Sequence, residues 1–136
     1  MLVLSDQSRV LAGILLLTIV TIEFGGWFMT KIVRGDVPMT DFQKAFARAG
    51  HAHAGVLVTL GLTCQPLADA AHMSGFAGWV GRLGVPVAAI LMSGGFFASS
   101  AGRDVTAPNR AIVILWLGAA SLAIGTITLG IGLLAA

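Results

Sequence analysis

The first long apolar stretch of the chain, residues 9–30, reads RVLAGILLLTIVTIEFGGWFMT and contains only two charged residues, Arg9 and Glu23. A helix of about 20 predominantly apolar residues is long enough to cross the hydrocarbon core of a membrane. The stretch is followed directly by basic residues, Lys31 and Arg34. We therefore predict that it forms the first membrane-spanning helix of the protein.

Three further apolar stretches follow the first one, and short polar connectors separate them. Of the 136 residues, 57% are hydrophobic and only 10% are charged, whereas soluble domains carry roughly 25% charged residues. We predict an all-α integral membrane protein, a single domain over residues 1–136 with four transmembrane helices in an antiparallel bundle or arc. It is expected to be a multi-pass protein of the cell inner membrane, in contact with membrane lipid. The predicted helices cover about residues 9–30, 42–63, 76–100 and 111–134.

The connectors contain residues typical of helix ends. Thr40 or Asp41 is expected to cap the second helix, because short polar side chains accept hydrogen bonds from the first free amides of a helix. The second helix is predicted to end near Pro66, since proline removes a helix hydrogen bond. The polar residues 65–75 are accordingly assigned to the second connector.

The charged residues lie near the predicted helix ends, except for Glu23 and Arg48, and the formal net charge is only +2. This distribution gives no support for nucleic-acid binding. Cytoplasmic loops of membrane proteins carry an excess of Lys and Arg. Counting these residues places both termini outside the cytoplasm, because one side has Lys31, Arg34, Lys44, Arg103 and Arg110 and the other has Arg9 and Arg82.

Two histidines, His51 and His53, lie inside the second apolar stretch, in FARAGHAHAGVLV (residues 46–58). An ionisable side chain within a membrane helix is costly and is a candidate functional group. Two residues of helix turn through about 200°, so the two rings are predicted to face different sides. One metal ion cannot easily bind both from a regular helix.

Counting along the helices brings other polar groups to the level of the histidines. At a rise of 1.5 Å per residue, the histidines lie roughly 10–14 Å beyond Lys44, and Glu23 lies roughly 12 Å before Lys31. We expect Glu23 to pair with the imidazoles. A second strong ligand would come from Met92, from Glu23 or from another copy of the protein.

The segment from Arg48 to Leu57, RAGHAHAGVL, resembles the heme-ligand helices of the catalytic subunit of heme–copper oxidases and nitric oxide reductases. One helix of that family reads Arg-x-x-His, which matches Arg48 and His51, and another reads His-x-His, which matches His51 and His53. The family's large subunit consists of three arcs of four helices, each with its ligand histidines on the second helix. The present chain looks like one such arc. It contains no tyrosine, so the resemblance does not extend to the oxidase active-site tyrosine.

The resemblance implies a b-type heme-binding membrane protein that is engaged in electron transfer or is heme–copper-oxidase-like. A homotrimer would recreate the three-arc ring, with heme b held at each subunit interface by His51 of one copy and His53 of the next. Arg48 would pair with a propionate, Glu23 would tune an imidazole or carry a proton, and Met92 is a further candidate ligand. A redox partner or a quinol would exchange electrons with the protein.

Two other functions fit the same residues. The first is a proton-coupled or transition-metal transporter or channel, in which Glu23, His51 and His53 form a relay or bind copper or another transition metal. The second is a structural subunit of a respiratory membrane complex, in which the histidines are hydrogen-bonded residues of the helix bundle. The sequence shows no nucleophile–base pair or phosphate-binding loop that would identify an enzyme.

Overall fold

The computed structural model describes residues 4–136, and these residues form four α-helices joined by short loops. The helices are α1 (Asp6–Arg34), α2 (Asp41–Ala70), α3 (Gly75–Ser99) and α4 (Ile112–Ala135). The prediction of an all-α chain with four helices is confirmed. Three helices, α1, α3 and α4, are long and apolar enough to cross a membrane, while α2 contains more polar residues.

Local sequence accounts for the helix ends around the first loop. Gly35 adopts a left-handed conformation with φ of 80° and ends α1, a position where the absence of a Cβ atom removes the steric cost. Thr40 caps α2, and its side chain accepts a hydrogen bond from the amide of Gln43, whose own side chain accepts one from the amide of Thr40. The expected cap at the start of the second helix is thus formed by Thr40.

The end predicted for the second helix near Pro66 is wrong, because α2 continues to Ala70. The last turn is held by tertiary contacts. Gln65 is fully buried, and its side-chain amide donates to the carbonyl groups of Gly61 and Arg82. Ala68 is also fully buried. These interactions compensate for the helix hydrogen bond that proline cannot donate.

Most inter-helix contacts join helices that are consecutive in sequence, and α2 also contacts α4. The closest approach is between α3 and α4, where Gly84 and Gly125 meet backbone to backbone. Small residues permit this distance, as is common between membrane helices. The apolar core lies mainly between α2 and α3, and includes Leu57, Val85 and Met92.

A buried polar cluster joins α1, α2 and α3 at one end of the molecule. The guanidinium of Arg82 donates to the carboxylate of Asp69 at 2.6 Å, to the hydroxyl of Ser8 at 3.1 Å and to the carbonyl of Met73. The backbone amide and the hydroxyl of Ser5 also donate to Asp69. The cluster fixes the start of α1 against the last turn of α2.

Candidate functional site at the histidines of α2

The imidazole of His51 lies against α1 at Gly25 and Gly26. A methyl group added at Gly25 would lie 3.3 Å from Nδ1 of His51, and one added at Gly26 would lie 3.5 Å from Cε1 and from Nε2. The ring therefore lies along the backbone of α1, where neither residue has a side chain. It is partly exposed and has no hydrogen bond to any residue in the range 4–136.

The imidazole of His53 lies on a different side of α2. Its ring centroid is 5.0 Å from that of Phe96 on α3, and its Nδ1 is 2.7 Å from the carbonyl oxygen of Ala49. His51 thus contacts α1 and His53 contacts α3. The two rings diverge as expected, because two residues of an α-helix turn through about 200°.

The hydrogen bond of His53 fixes its protonation pattern. A carbonyl oxygen can only accept, so Nδ1 carries the hydrogen, and in the neutral ring Nε2 then has a free lone pair. A histidine that ligates a metal commonly donates its other ring N–H to a carbonyl or a carboxylate. His53 is thus held by a hydrogen bond to its own helix, and Nε2 is the ring nitrogen without a hydrogen bond in residues 4–136.

Glu23 and Arg48 are both exposed, and neither forms a hydrogen bond or an ion pair within the described part of the chain. The expected pairing of Glu23 with an imidazole is absent from residues 4–136. Glu23 and Gly25 are two positions apart, so they face different sides of α1. The glycines face His51, and the carboxylate remains free.

Met92 is buried in the contact between α3 and α4. A methyl group added at Gly118 of α4 would lie 2.6 Å from Cγ of Met92, and 9% of the Met92 surface is exposed. The side chain belongs to the apolar core. Met92, predicted as a further ligand, is thus engaged in helix packing against α4.

Within residues 4–136, no three His, Cys, Asp or Glu side chains are grouped so that they could hold a metal ion. In the described part of α2, His51 and His53 lie apart and contact different helices. Comparison of the chain with protein-family models, with curated proteins and with solved structures finds no match. The fold and the site define an all-helical protein with helices able to span a membrane and one histidine on each of two sides of α2.

Two features of the structure escaped the sequence interpretation. The first is the contact of Gly25 and Gly26 with His51; the adjacent glycines in EFGGWF are the only sequence signal for it. The second is the cluster around Arg82. A charged residue within an apolar helix needs a partner, and Asp69 was the nearest acidic residue along the chain.

Proposed function

We propose that this protein is a b-type heme-binding membrane protein, with heme held between copies of the chain by His51 of one copy and His53 of the next. The observation that carries the proposal is the divergence of the two rings, which contact α1 and α3 respectively. Two imidazoles on opposite sides of one helix cannot meet at one iron within a chain. Bis-histidine ligation, which is common for heme iron, therefore requires a second copy.

The proposal includes four antiparallel membrane spans in the cell inner membrane. Ser5 precedes α1 and bonds to Asp69 at the end of α2, while Gly25 late in α1 meets His51 early in α2; these contacts support opposite directions for the two helices. Exposed aromatic residues lie near both ends of the helices, Trp27 and Trp116 near one and Phe76 and Trp79 near the other. Aromatic belts of this kind are typical of the two membrane interfaces.

The residues around His51 fit a planar group with acidic substituents. Gly55 lies one turn after His51, and a methyl group added there would meet no atom within 4 Å. Arg48 lies one turn before His51, is exposed, and has no acidic partner in the described chain. A planar macrocycle has room beside Gly55, and Arg48 is available for one of its carboxylates.

The chain's own residues orient and tune such a group. The carbonyl of Ala49 accepts a hydrogen bond from Nδ1–H of His53 and so fixes the tautomer of the ring. Phe96 restricts rotation of the His53 ring. Bound heme would supply one-electron transfer, while the protein supplies binding and electrostatics. A homotrimer closes the ring of interfaces under cyclic symmetry, and a redox partner or a quinol completes the electron path.

The experiment is absorption spectroscopy of detergent-purified protein that has been produced with ample heme, in oxidised and reduced forms. The wild type should show a b-type spectrum with one heme per subunit. His51→Ala and His53→Ala should each abolish it, because each interface loses one of its two ligands. His72→Ala is the matched control, since His72 is exposed in the loop after α2, and it should leave the spectrum unchanged.

Two outcomes would contradict the proposal. The first is a colourless wild-type protein after heme loading. The second is a spectrum that survives removal of both histidines. Metal analysis of the colourless protein, followed by proton and copper flux measurements in liposomes, would then test the transporter alternative. Glu23→Gln provides the discriminating variant, because its carboxylate is exposed and unpaired within residues 4–136.

A further inference from the structure

We propose that Gly25 and Gly26 are positioning residues for His51, and that their lack of side chains sets the plane and the direction of its imidazole. The inference deepens the proposed function, because His51 is one of its ligands. Its first test needs no bound heme, so it can succeed or fail independently.

The contacts of the glycine pair differ from those of the glycines between α3 and α4. Around an added methyl group at either Gly25 or Gly26, the atoms within 4 Å that lie outside α1 are all ring atoms of His51. At Gly95 the nearest atom is instead the backbone nitrogen of Leu115 on α4, and Gly84 meets the backbone of Gly125. Those glycines let two helices approach, whereas Gly25 and Gly26 accommodate one imidazole.

The two glycines meet different parts of the ring. A methyl group added at Gly25 comes closest to Nδ1 of His51, at 3.3 Å, and one added at Gly26 is equally close, at 3.5 Å, to Cε1 and Nε2. A carbon atom at 3.3 Å is inside ordinary van der Waals contact, which begins at about 3.5 Å. Alanine at position 25 must therefore push the ring away from α1. Alanine at position 26 is tolerated with a contact to Nε2.

The surroundings leave the ring free to move when it is pushed. α1 contacts mainly α2, and few of its residues are buried. Phe24, Trp27 and Phe28 beside the glycines are exposed. Within residues 4–136, neither ring nitrogen of His51 has a hydrogen-bond partner that would hold it. The glycine pair is thus the part of the described chain that determines the position of the ring.

The first experiment is a double-mutant cycle on heme-free protein, read as the midpoint of unfolding in SDS. In the wild-type background Gly25→Ala should raise the midpoint less than in the His51→Ala background, because the ring must shift to admit the methyl group. In the His51→Ala background it should raise the midpoint, because alanine is a better helix former than glycine and the ring is gone. Gly13→Ala is the control: its methyl group meets nothing within 4 Å, so it should raise the midpoint equally in both backgrounds.

The second experiment reports on the ring itself. Modification of the histidines by diethyl pyrocarbonate, quantified by mass spectrometry, should be faster at His51 in Gly25→Ala than in wild type, with His72 as the internal reference. Gly13→Ala should leave the ratio unchanged. In heme-loaded protein, Gly25→Ala should shift the absorption spectrum, and Gly13→Ala should not.

Two results would overturn the inference: equal effects of Gly25→Ala in the wild-type and His51→Ala backgrounds, or a His51 modification rate that Gly25→Ala does not change. If Gly25→Ala fails to fold, a fold restored by adding His51→Ala supports the inference, and a double variant that also fails to fold overturns it. A wild-type protein that binds no heme removes the proposed function, but the cycle and the modification rates still decide the positioning role.

Discussion

Nη2 of Arg82 lies 2.6 Å from Oδ1 of Asp69, and this ion pair is almost fully enclosed by α1, α2 and α3. The exposed fractions of the two side chains are 8% and 14%. The hydroxyl of Ser8 and the carbonyls of Met73 and Gly78 accept three further hydrogen bonds from Arg82, so four of the five N–H donors of its guanidinium have partners. The pair links α2 to α3, and the hydrogen bonds of Ser5 to Asp69 and of Arg82 to Ser8 connect the start of α1 to it.

Removal of one partner of this pair should be strongly destabilising. Asp69→Ala leaves the guanidinium of Arg82 buried without its counter-charge, which costs about 3–5 kcal/mol in comparable buried pairs. The measurement is the free energy of unfolding in SDS, followed by circular dichroism. Asp6→Ala is the control: the Asp6–Arg9 pair is exposed, and exposed pairs contribute little. If both variants lost the same free energy of unfolding, the buried Arg82–Asp69 pair would not stabilise the protein more than the exposed Asp6–Arg9 pair.

The same carboxylate should make stability depend on pH in the acid range. Asp69 lies in the last turn of α2, level with Ser5, which precedes α1 and is outside the apolar span. Burial alone would raise the pKa of Asp69, but hydrogen bonds from Arg82 and Ser5 outweigh it and lower the pKa to about 2.

A lowered pKa in the folded state means that the stabilisation is complete above the unfolded value, about 3.9, and is lost as the pH falls towards 2. The unfolding midpoint of the wild type should therefore fall between about pH 4 and pH 2. The unfolding midpoint of Asp69→Asn should be lower than that of the wild type near neutral pH, and it should change less as the pH falls through this range. Parallel pH curves for the two proteins would show that Asp69 does not contribute to the dependence.

Two adjacent glycines of α3 should respond oppositely to alanine. A methyl group at Gly95 would lie 2.5 Å from the backbone nitrogen of Leu115, so α3 and α4 must separate. We expect Gly95→Ala to cost about 1–3 kcal/mol, as overpacked cores do. Gly94→Ala meets no atom within 4 Å and should be neutral or stabilising. The unfolding of both variants in SDS tests this difference. A destabilised Gly94→Ala would contradict the open space that the structure places beside Gly94.

The single cysteine should report the opening of the helix core. Cys64 is buried, with 2% of its surface exposed. In native detergent-solubilised protein it should react with a maleimide far more slowly than a cysteine placed in the first loop, Asp36→Cys in a Cys64→Ala background. Its reaction should accelerate at the unfolding midpoint. Fast labelling of Cys64 under native conditions would show that α2 and α3 do not enclose it.

The helices were predictable because hydrophobic length and capping residues are local properties. The stretch at residues 9–30 and a cap at Thr40 or Asp41 could be predicted without knowledge of the neighbouring helices. The end of α2 was not predictable on this basis. Pro66 normally ends a helix, and the next turn is held by tertiary contacts, which include the buried side chains of Gln65 and Ala68 and the bonds of Asp69.

The histidine site likewise has one property that the sequence predicts and others that depend on tertiary contacts. The amino-acid sequence by itself determined that His51 and His53 diverge, because the angle between two residues of a helix is fixed by backbone geometry. Only the tertiary structure decided what each side chain meets: Gly25 and Gly26 for His51, Phe96 for His53, and Gly118 for Met92. Counting residues gives depth in a helix, whereas these contacts depend on how each helix is rotated about its axis. That rotation is set by the packing of the whole set of helices.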